Sequence, residues 1–247
     1  MKPVLRWLVL LLVAAVSLQI IFLLRIALAT GLDPQSTSFQ RSEAWRIANQ
    51  KGHLRWRQQW QPYDEISDNL KRAVIASEDG SFTNHEGVDW EALEKAWQRN
   101  SQAQERAARQ GNTAQLTQRT GKTPKVVGGS TITQQLAKNL LLSGERTLLR
   151  KGQELVLTFA LEKILSKERI LEIYLNSVEW GEGVFGAEAA AQHYYRKHAS
   201  QLSAYEAARL AVMLPRPKYF EKLPNSGYLS SRAGTILARM QGAQLPG

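Results

Sequence analysis

Two adjacent acids, Glu78 and Asp79, stand where an apolar helical face of Leu70, Ala73, Val74 and Ser77 runs out, in the stretch "VIASEDGSFTNHEG". A helix C-terminus carries partial negative charge, so carboxylates there oppose the local rule. Gly80 reads as the stop signal directly after them. Three influences would raise the pKa of Glu78: the helix end, the adjacent Asp79, and partial burial beside Phe82. A carboxylate with a raised pKa is a better general base near neutral pH. A solvated surface pair is also compatible with these residues. His85, taken alone, reads as a hydrogen-bonding structural histidine more readily than as a catalyst. The four histidines, His53, His85, His193 and His198, show no zinc-ligand spacing. The chain has no cysteine, which excludes disulfides and thiolate metal sites.

A second constellation is "GGSTITQQLAKN", residues 128–139. Thr131 with Gln134 three residues on forms a capping-box pattern. A helix N-terminus behind a flexible Gly-Gly backbone can receive an anion such as phosphate, with Lys138 about two turns along. An ordinary glycine-rich helix start is also compatible, but the density of polar side chains (Ser130, Thr131, Thr133, Gln134, Gln135, Lys138, Asn139) is less ordinary. The stretch is not a nucleotide P-loop, because it lacks GK[ST]. The third constellation is "RTLLRKGQE", residues 146–154. Arg146, Arg150 and Glu154 are spaced i, i+4, i+8 and share one helix face, with Lys151 beside it. A solvated salt-bridge face would look the same. The apolar run that follows, from Leu155 to Leu161, predicts a helix buried on several sides whose charges line a cleft.

The elements that must position these groups are helical. Asp64–Asp79 reads as one helix, and "DWEALEKAW" as another with Asp89 as N-cap. Ser166 and Ser203 open two further helices, the second ending at Pro215. No alternating strand pattern and no internal repeat stands out, so the fold class is mainly α. Residues 98–125 are rich in Gln and Arg with almost no large apolar side chains, which predicts a mobile polar insertion, compatible with helix in parts. Residues 30–62 read as a juxtamembrane linker. Its aromatic-basic "HLRWRQQW" suits a membrane interface or tryptophans docked on the domain.

The N-terminus sets the location. Trp7–Leu24 carries no charge and would span about 27 Å as a helix, close to the roughly 30 Å hydrocarbon core. Arg25 at its end can snorkel. Lys2 and Arg6 before it favour a cytoplasmic N-terminus. Ala27-Leu28-Ala29 also matches a signal-peptide cleavage pattern, but the apolar run is longer than a usual signal core. The expected layout is a transmembrane helix over 7–29 and a catalytic domain over 63–247. The net charge of +10 across 247 residues suggests an anionic partner.

Together these segments resemble the peptidoglycan glycosyltransferase family, family 51 of the glycosyltransferases, and most closely its monofunctional branch. "EDGSFTNHEG" is similar to the family's E-D-x-x-F-x-x-H-x-G motif. "GGSTITQQLAKN" matches G-G-S-T-x-T-Q-Q-x-x-K-N without a mismatch. "RTLLRKGQE" resembles R-x-x-x-R-K-x-x-E, and "KERILEIYLNSVEWG" the motif ending in Y-x-N-x-x-x-x-G. The four occur in the family's order, between about residue 60 and about residue 220. The polar stretch 98–125 departs from the family, which often makes that connection shorter.

The resemblance implies a lysozyme-like helical head over a smaller membrane-touching lobe. It implies polymerisation of lipid II into glycan strands on the outer face of the inner membrane. The growing lipid-pyrophosphate-linked strand would be the donor and lipid II the acceptor, the β-1,4 bond forming with inversion. Glu78 would be the general base on the acceptor 4-hydroxyl. Glu154 would assist departure of the pyrophosphate, by holding Mg2+ or Mn2+ or by positioning Arg and Lys. Lys138, Arg146, Arg150 and Lys151 would neutralise the pyrophosphate. By the same resemblance the other motif residues (Asp79, Phe82, His85, Gly129, Ser130, Thr131, Thr133, Gln134, Gln135, Asn139 and Asn176) are expected to bind substrate. Cell-wall synthesis or division proteins are expected partners by analogy.

About thirty residues follow position 217, without an S-x-x-K nucleophile motif, so no transpeptidase activity is expected. A lytic enzyme of lysozyme-like fold is the nearest rival, but it would not need so many cations at the leaving group. A non-catalytic membrane-anchored scaffold is a second. Nucleic-acid binding would explain the pI of about 9.9 but neither the anchor nor the motif set, so no nucleic-acid partner is expected.

Overall fold

The computed structural model describes residues 3–110, 129–142 and 147–247, which form eleven α-helices and one two-stranded hairpin. In chain order the helices are α1 (Pro3–Leu28), α2 (Ser38–Lys51), α3 (Asp68–Glu78), α4 (Trp90–Gln110), α5 (Ile132–Leu141), α6 (Leu148–Ile164) and α7 (Lys167–Ser177). The hairpin β1 (Glu179–Gly181) and β2 (Val184–Phe185) follows, then α8 (Ala187–Tyr195), α9 (Ala204–Met213), α10 (Pro217–Phe220) and α11 (Gly227–Met240). The mainly α class expected from the periodicities is the class observed.

Hydroxyl caps start most of these helices. The side chains of Ser67, Thr131, Thr147, Ser166, Ser203 and Ser226 each accept from a backbone N–H of the first turn, removing one of the donors that a helix start leaves unpaired. The largest packing unit joins α3, α9 and α11. Ala73, Ala207, Ala208, Ala211 and Ala233 are fully buried there, and these small side chains let the helix backbones approach closely. A second unit packs α5 against α6 and α7. From the hairpin, Trp180 joins the hydrophobic core and the buried Phe185 packs against Phe39 and Trp56. The hairpin escaped the sequence reading because both strands are very short and buried throughout, so no alternation of apolar and polar residues marks them.

Helix α1 is long and apolar enough to cross a membrane. Only Ile26, near its foot, is buried. Two polar fixings tie it to the domain. Gln19 and Gln153 exchange amide hydrogen bonds of 2.9 and 2.8 Å. Arg169 of α7 donates Nε to the Ala29 carbonyl at 2.8 Å and its terminal nitrogen to Leu32 O and Asp33, so carbonyls at the helix end are satisfied.

Two expectations need correction, and the polar stretch 98–125 is helical in part, as its sequence allowed. The span 30–62 is not a plain linker, because it carries α2, closed by a Thr37–Gln40 capping box and packed on α5. Its sequence has no apolar stripe; Ile47 and the buried Gln40, which donates to Ser177 O at 3.1 Å, hold it down instead. Of its tryptophans, Trp56 packs on Phe185 and Trp60 donates to Glu172, while Trp45 is exposed. The polar stretch begun at residue 98 continues α4 as helix to Gln110, and residues 111–125 lie outside the described residues. Helix α6 is not buried on several sides: in the run Leu155–Leu161, Leu157 and Leu161 are buried, but Val156 and Phe159 are 56% and 43% exposed, and Leu148 and Leu149 ahead of it are exposed too.

Gly186 joins the hairpin to α8 with φ +84° and ψ 161°, a region open essentially to glycine alone. A Cβ there would lie 2.7 Å from the Asn176 carbonyl oxygen. Gly186→Ala is expected to destabilise the fold by roughly 2 kcal/mol or more, about 4–8 °C for a domain of this size. Thermal unfolding in detergent measures it, and an unchanged midpoint would show that this junction relaxes freely.

Candidate active site

The two acids at the end of α3 have different surroundings. Asp79 is buried and is the C-cap, in an extended conformation, of a helix whose last residue is Glu78. Gly80 is therefore not the left-handed stop its position suggested; the positive-φ glycines are Gly52, Gly87, Gly183 and Gly186. Asp79 Oδ1 accepts from His85 Nε2 at 2.9 Å, and Oδ2 accepts from the backbone N–H of Ile132 at 2.9 Å. Gly87 N–H donates to His85 Nδ1 at 3.1 Å. That bond occupies the Nδ1 lone pair, so the ring hydrogen sits on Nε2 and faces the carboxylate. Ile132 is the first residue of α5, so Asp79 is the anion at that helix N-terminus. The unfavourable position on α3 is a favourable one on α5.

The loop after Asp79 grips the same helix start. Thr131 Oγ1 donates to Gly87 O at 2.6 Å and accepts from Gln134 N at 3.2 Å, and Gln134 Oε1 accepts from Thr131 N at 3.1 Å. Gly87 has φ +88° and lies against α6, where a Cβ would come 2.7 Å from Thr158 Cγ2. Thr133 Oγ1 donates to Glu162, which also pairs with Lys167 at 2.8 Å. The Lys167 ammonium lies 4.6 Å over the ring of the fully buried Phe82. Asp79, Phe82, His85, Thr131, Thr133 and Gln134 therefore interlock three segments.

Glu78 is half-buried on the last turn of α3. Gln135 Nε2 donates to its Oε2 at 3.0 Å, and Ser77 Oγ donates to Oε1 at 3.3 Å. Tyr174 Oη donates to Gln135 Oε1 at 3.0 Å, which turns the amide nitrogen toward Glu78. Burial pushes the Glu78 carboxyl above its ordinary value; the two neutral donors oppose that shift, and the Asp79 charge adds to it. Burial, then the charges of Glu78 and Asp79, holds the Tyr174 phenol protonated well above its usual range. Lys138 and Asn139 follow Gln135 by three and four residues on α5 and share its face; Lys138 is exposed, Asn139 half-buried. Gly129 is half-buried against Leu93, and Ser130 is exposed.

On α6, Glu154 is buried, with Arg150 at 3.2 Å on Oε2 and Lys151 at 2.5 Å on Oε1. The Arg150 Nε is buried and has no hydrogen-bond acceptor among the described residues. The Thr147 hydroxyl caps Arg150 N at 3.1 Å and starts the helix at Leu148. Arg146, which the sequence placed on the same face as Arg150 and Glu154, lies outside the described residues. Thr158, the residue against Gly87, bonds back to Glu154 O at 2.7 Å, so the third motif sits one turn from the loop of the first. Asn176 is fully buried and spends its amide on the backbone: Oδ1 accepts from Gln61 N and Nδ2 donates to Gln61 O, both at 2.8 Å. Among the described residues no three His, Asp or Glu side chains cluster to hold a metal ion.

A transglycosylase family model matches residues 46–241. The chain belongs to the transglycosylase family. A biosynthetic peptidoglycan transglycosylase of Herminiimonas arsenicoxydans is 50% identical over 247 residues, covering 100% of this chain and 99% of the relative. One of Burkholderia thailandensis is 53% identical over 228 residues, 92% of this chain and 82% of the relative. One of Bordetella pertussis is 52% identical over 214 residues, 87% and 82%. The transglycosylase match begins inside α2, in keeping with that helix being part of the packed fold. Tyr174, Ser77, Glu162 and Lys167 were not singled out in the sequence. Tyr174 carried the one usable signal, as the first letter of the Y-x-N motif.

The unlike roles of the two acids are separable. Asp79→Asn turns an amide nitrogen toward a donor and is expected to destabilise the fold by roughly 2–3 kcal/mol. Glu78→Gln keeps the shape and removes a desolvated charge. Because the folded-state pKa of Glu78 is raised, its contribution to stability is present at low pH and lost as pH rises through that value. Glu78→Gln should therefore melt no lower than wild type, with an advantage that grows as pH rises above the ordinary carboxyl value of 4.5 and through the raised folded-state value. Parallel melts test both; a Glu78→Gln protein that melts well below wild type at the higher pH contradicts this reading.

Proposed function

We propose that the chain is a membrane-anchored peptidoglycan glycan polymerase that transfers the growing lipid-diphosphate-linked strand to the 4-hydroxyl of lipid II. The observation that carries this is the division of charge: a desolvated carboxylate with neutral donors at Glu78, and cations gathered around Glu154. The family and the names of the relatives support the peptidoglycan substrate.

In this reading Glu78 takes the proton of the acceptor 4-hydroxyl as its oxygen attacks the donor anomeric carbon. The new C–O bond forms as the bond to the diphosphate breaks on the opposite side, which inverts the configuration. The diphosphate leaves with the bonding electrons and meets Lys138, Arg150 and Lys151. Gln135, held by Tyr174, orients the Glu78 carboxylate. Glu154 fixes the two cations. One acid between two bases leaves a surplus positive charge for the leaving group. A resident Mg2+ or Mn2+ does not fit the described residues: both Glu154 oxygens face cations, and Asp79 is spent on His85 and Ile132. No step here is routed through a metal. Lys2 and Arg6, ahead of the uncharged run that starts at Trp7, favour an outward-facing domain.

The test is labelled lipid II with the detergent-solubilised full chain, glycan lengths being resolved on a gel. Wild type should make polymer. Glu78→Gln should lose on the order of 10²–10⁴ in rate. The acid limb of the rate against pH should lie above the ordinary carboxyl value of 4.5, since the base must be ionised to act. Shortened glycan in place of polymer would point to a lytic enzyme instead.

A further inference from the structure

A cleft of about 310 Å3 lies at the foot of α1, where the helix would leave the membrane. Its walls include Arg25, Leu28 and Leu32 from α1 and the turn after it, Arg41 from α2, and Leu140 and Leu141 from the end of α5. The two arginines are both exposed. Among the described residues Arg41 is held by serine oxygens: its terminal nitrogens donate to Ser36 O and Ser36 Oγ at 3.1 Å and to Ser38 Oγ at 3.2 Å. Ser38 in turn donates to Leu140 O at 3.2 Å, which ties this arrangement to α5. The one acid in the lining, Asp33, is spent on Arg169 at 2.8 Å. Partial burial, and then the charge of Arg25, push the Arg41 pKa down, as expected of two like charges that feel one another. Trp45, one turn beyond Arg41, is 72% exposed, as befits a side chain at a membrane interface.

Two guanidinium groups without an acidic partner among the described residues, beside apolar walls at the membrane exit, match a phosphate attached to a lipid. We propose that this cleft binds the phosphate headgroup of an anionic bilayer phospholipid, with Arg25 and Arg41 on the phosphate and Leu28 and Leu32 along the lipid body. The site is separate from the Glu78 and Glu154 machinery. The proposal requires that α1 cross a membrane and does not depend on the polymerase reading. A lipid held there would fix the angle at which the domain stands on the bilayer.

The full chain is first floated with vesicles of phosphatidylcholine and phosphatidylglycerol. It is then taken into neutral detergent with equal amounts of the two lipids, and retained lipid is counted by native mass spectrometry. Wild type and Arg55→Gln, which removes an exposed arginine away from the cleft, should retain phosphatidylglycerol preferentially. Arg25→Gln and Arg41→Gln should each lower that preference roughly fivefold, and the double variant should abolish it. Circular dichroism and melting confirm that the variants fold. An unchanged preference in the double variant overturns the proposal. So does displacement of the lipid by inorganic phosphate, or by undecaprenyl diphosphate at equal concentration, which would make the cleft a free-anion or substrate-lipid site. Failure of wild type to float removes the membrane and the proposal together, whereas flotation with an unchanged preference removes the proposal alone.

Discussion

The carboxylate of Asp79 holds the structure of the site together. Its oxygens take one donor from the loop that follows it and one from the start of α5, 53 residues later in the chain. A buried charge is tolerable only when its lone pairs are used, and here a helix N-terminus adds a favourable field. The position of Glu78 follows, because it is the preceding residue on the last turn of α3. So does the position of Gln135, one turn into α5 on the side that meets Glu78. A further consequence bears on phosphate recognition. The α5 N-terminus is already neutralised by the protein's own anion, so a diphosphate must be met by side-chain cations and not by that helix end.

Local features were legible in the sequence, and long-range ones were not. The Thr131–Gln134 capping box, the serine caps and the two charged residues one turn apart on α6 follow from i, i+3 and i+4 spacing, which sequence displays directly. The raised pKa of Glu78 was also readable, although burial outweighs the Asp79 charge. What Asp79 and Asn176 bind could not be read. Asp79 reaches a backbone N–H, and Asn176 both backbone groups of Gln61, and backbone partners leave no mark in residue type. The same holds for α2, whose buried side chains are one glutamine and one isoleucine and whose Ser38 and Gln40 both reach backbone carbonyls elsewhere in the domain. Gly80 misled because the Asp79 carboxylate, drawn toward α5, ends α3 first.

The exposed apolar face of α6 shows why burial was over-predicted. A helix that is apolar on several sides is buried in protein or in lipid, and the sequence cannot tell which. Here α6 lies against α1, and the Gln19–Gln153 pair joins them. An amide inside an apolar helix is costly unless its donor and acceptor are both met, and a reciprocal pair meets them. Gln153 is the residue before Glu154. The charged part of α6 is therefore held at a fixed place relative to the membrane helix, with Leu148 and Leu149 turned outward beside it.

The separation of charges on α3 and α6 is the remaining physical point. A general base near neutral pH needs a raised pKa, and a cation close by would lower it. Burial, two neutral donors and a second acid set the pKa of Glu78, and no cation is among them. Arg150 and Lys151 are instead pinned by Glu154 on a different helix. Both α3 and α6 meet α5, the first through Glu78 and Gln135, the second through Glu162 and Thr133. One short helix thus holds a proton acceptor and a cation cluster in fixed relation while keeping their fields apart. The proposed reaction calls for that arrangement, because a base on the attacking hydroxyl and cations on the departing diphosphate would each act on their own end of the bond that is exchanged.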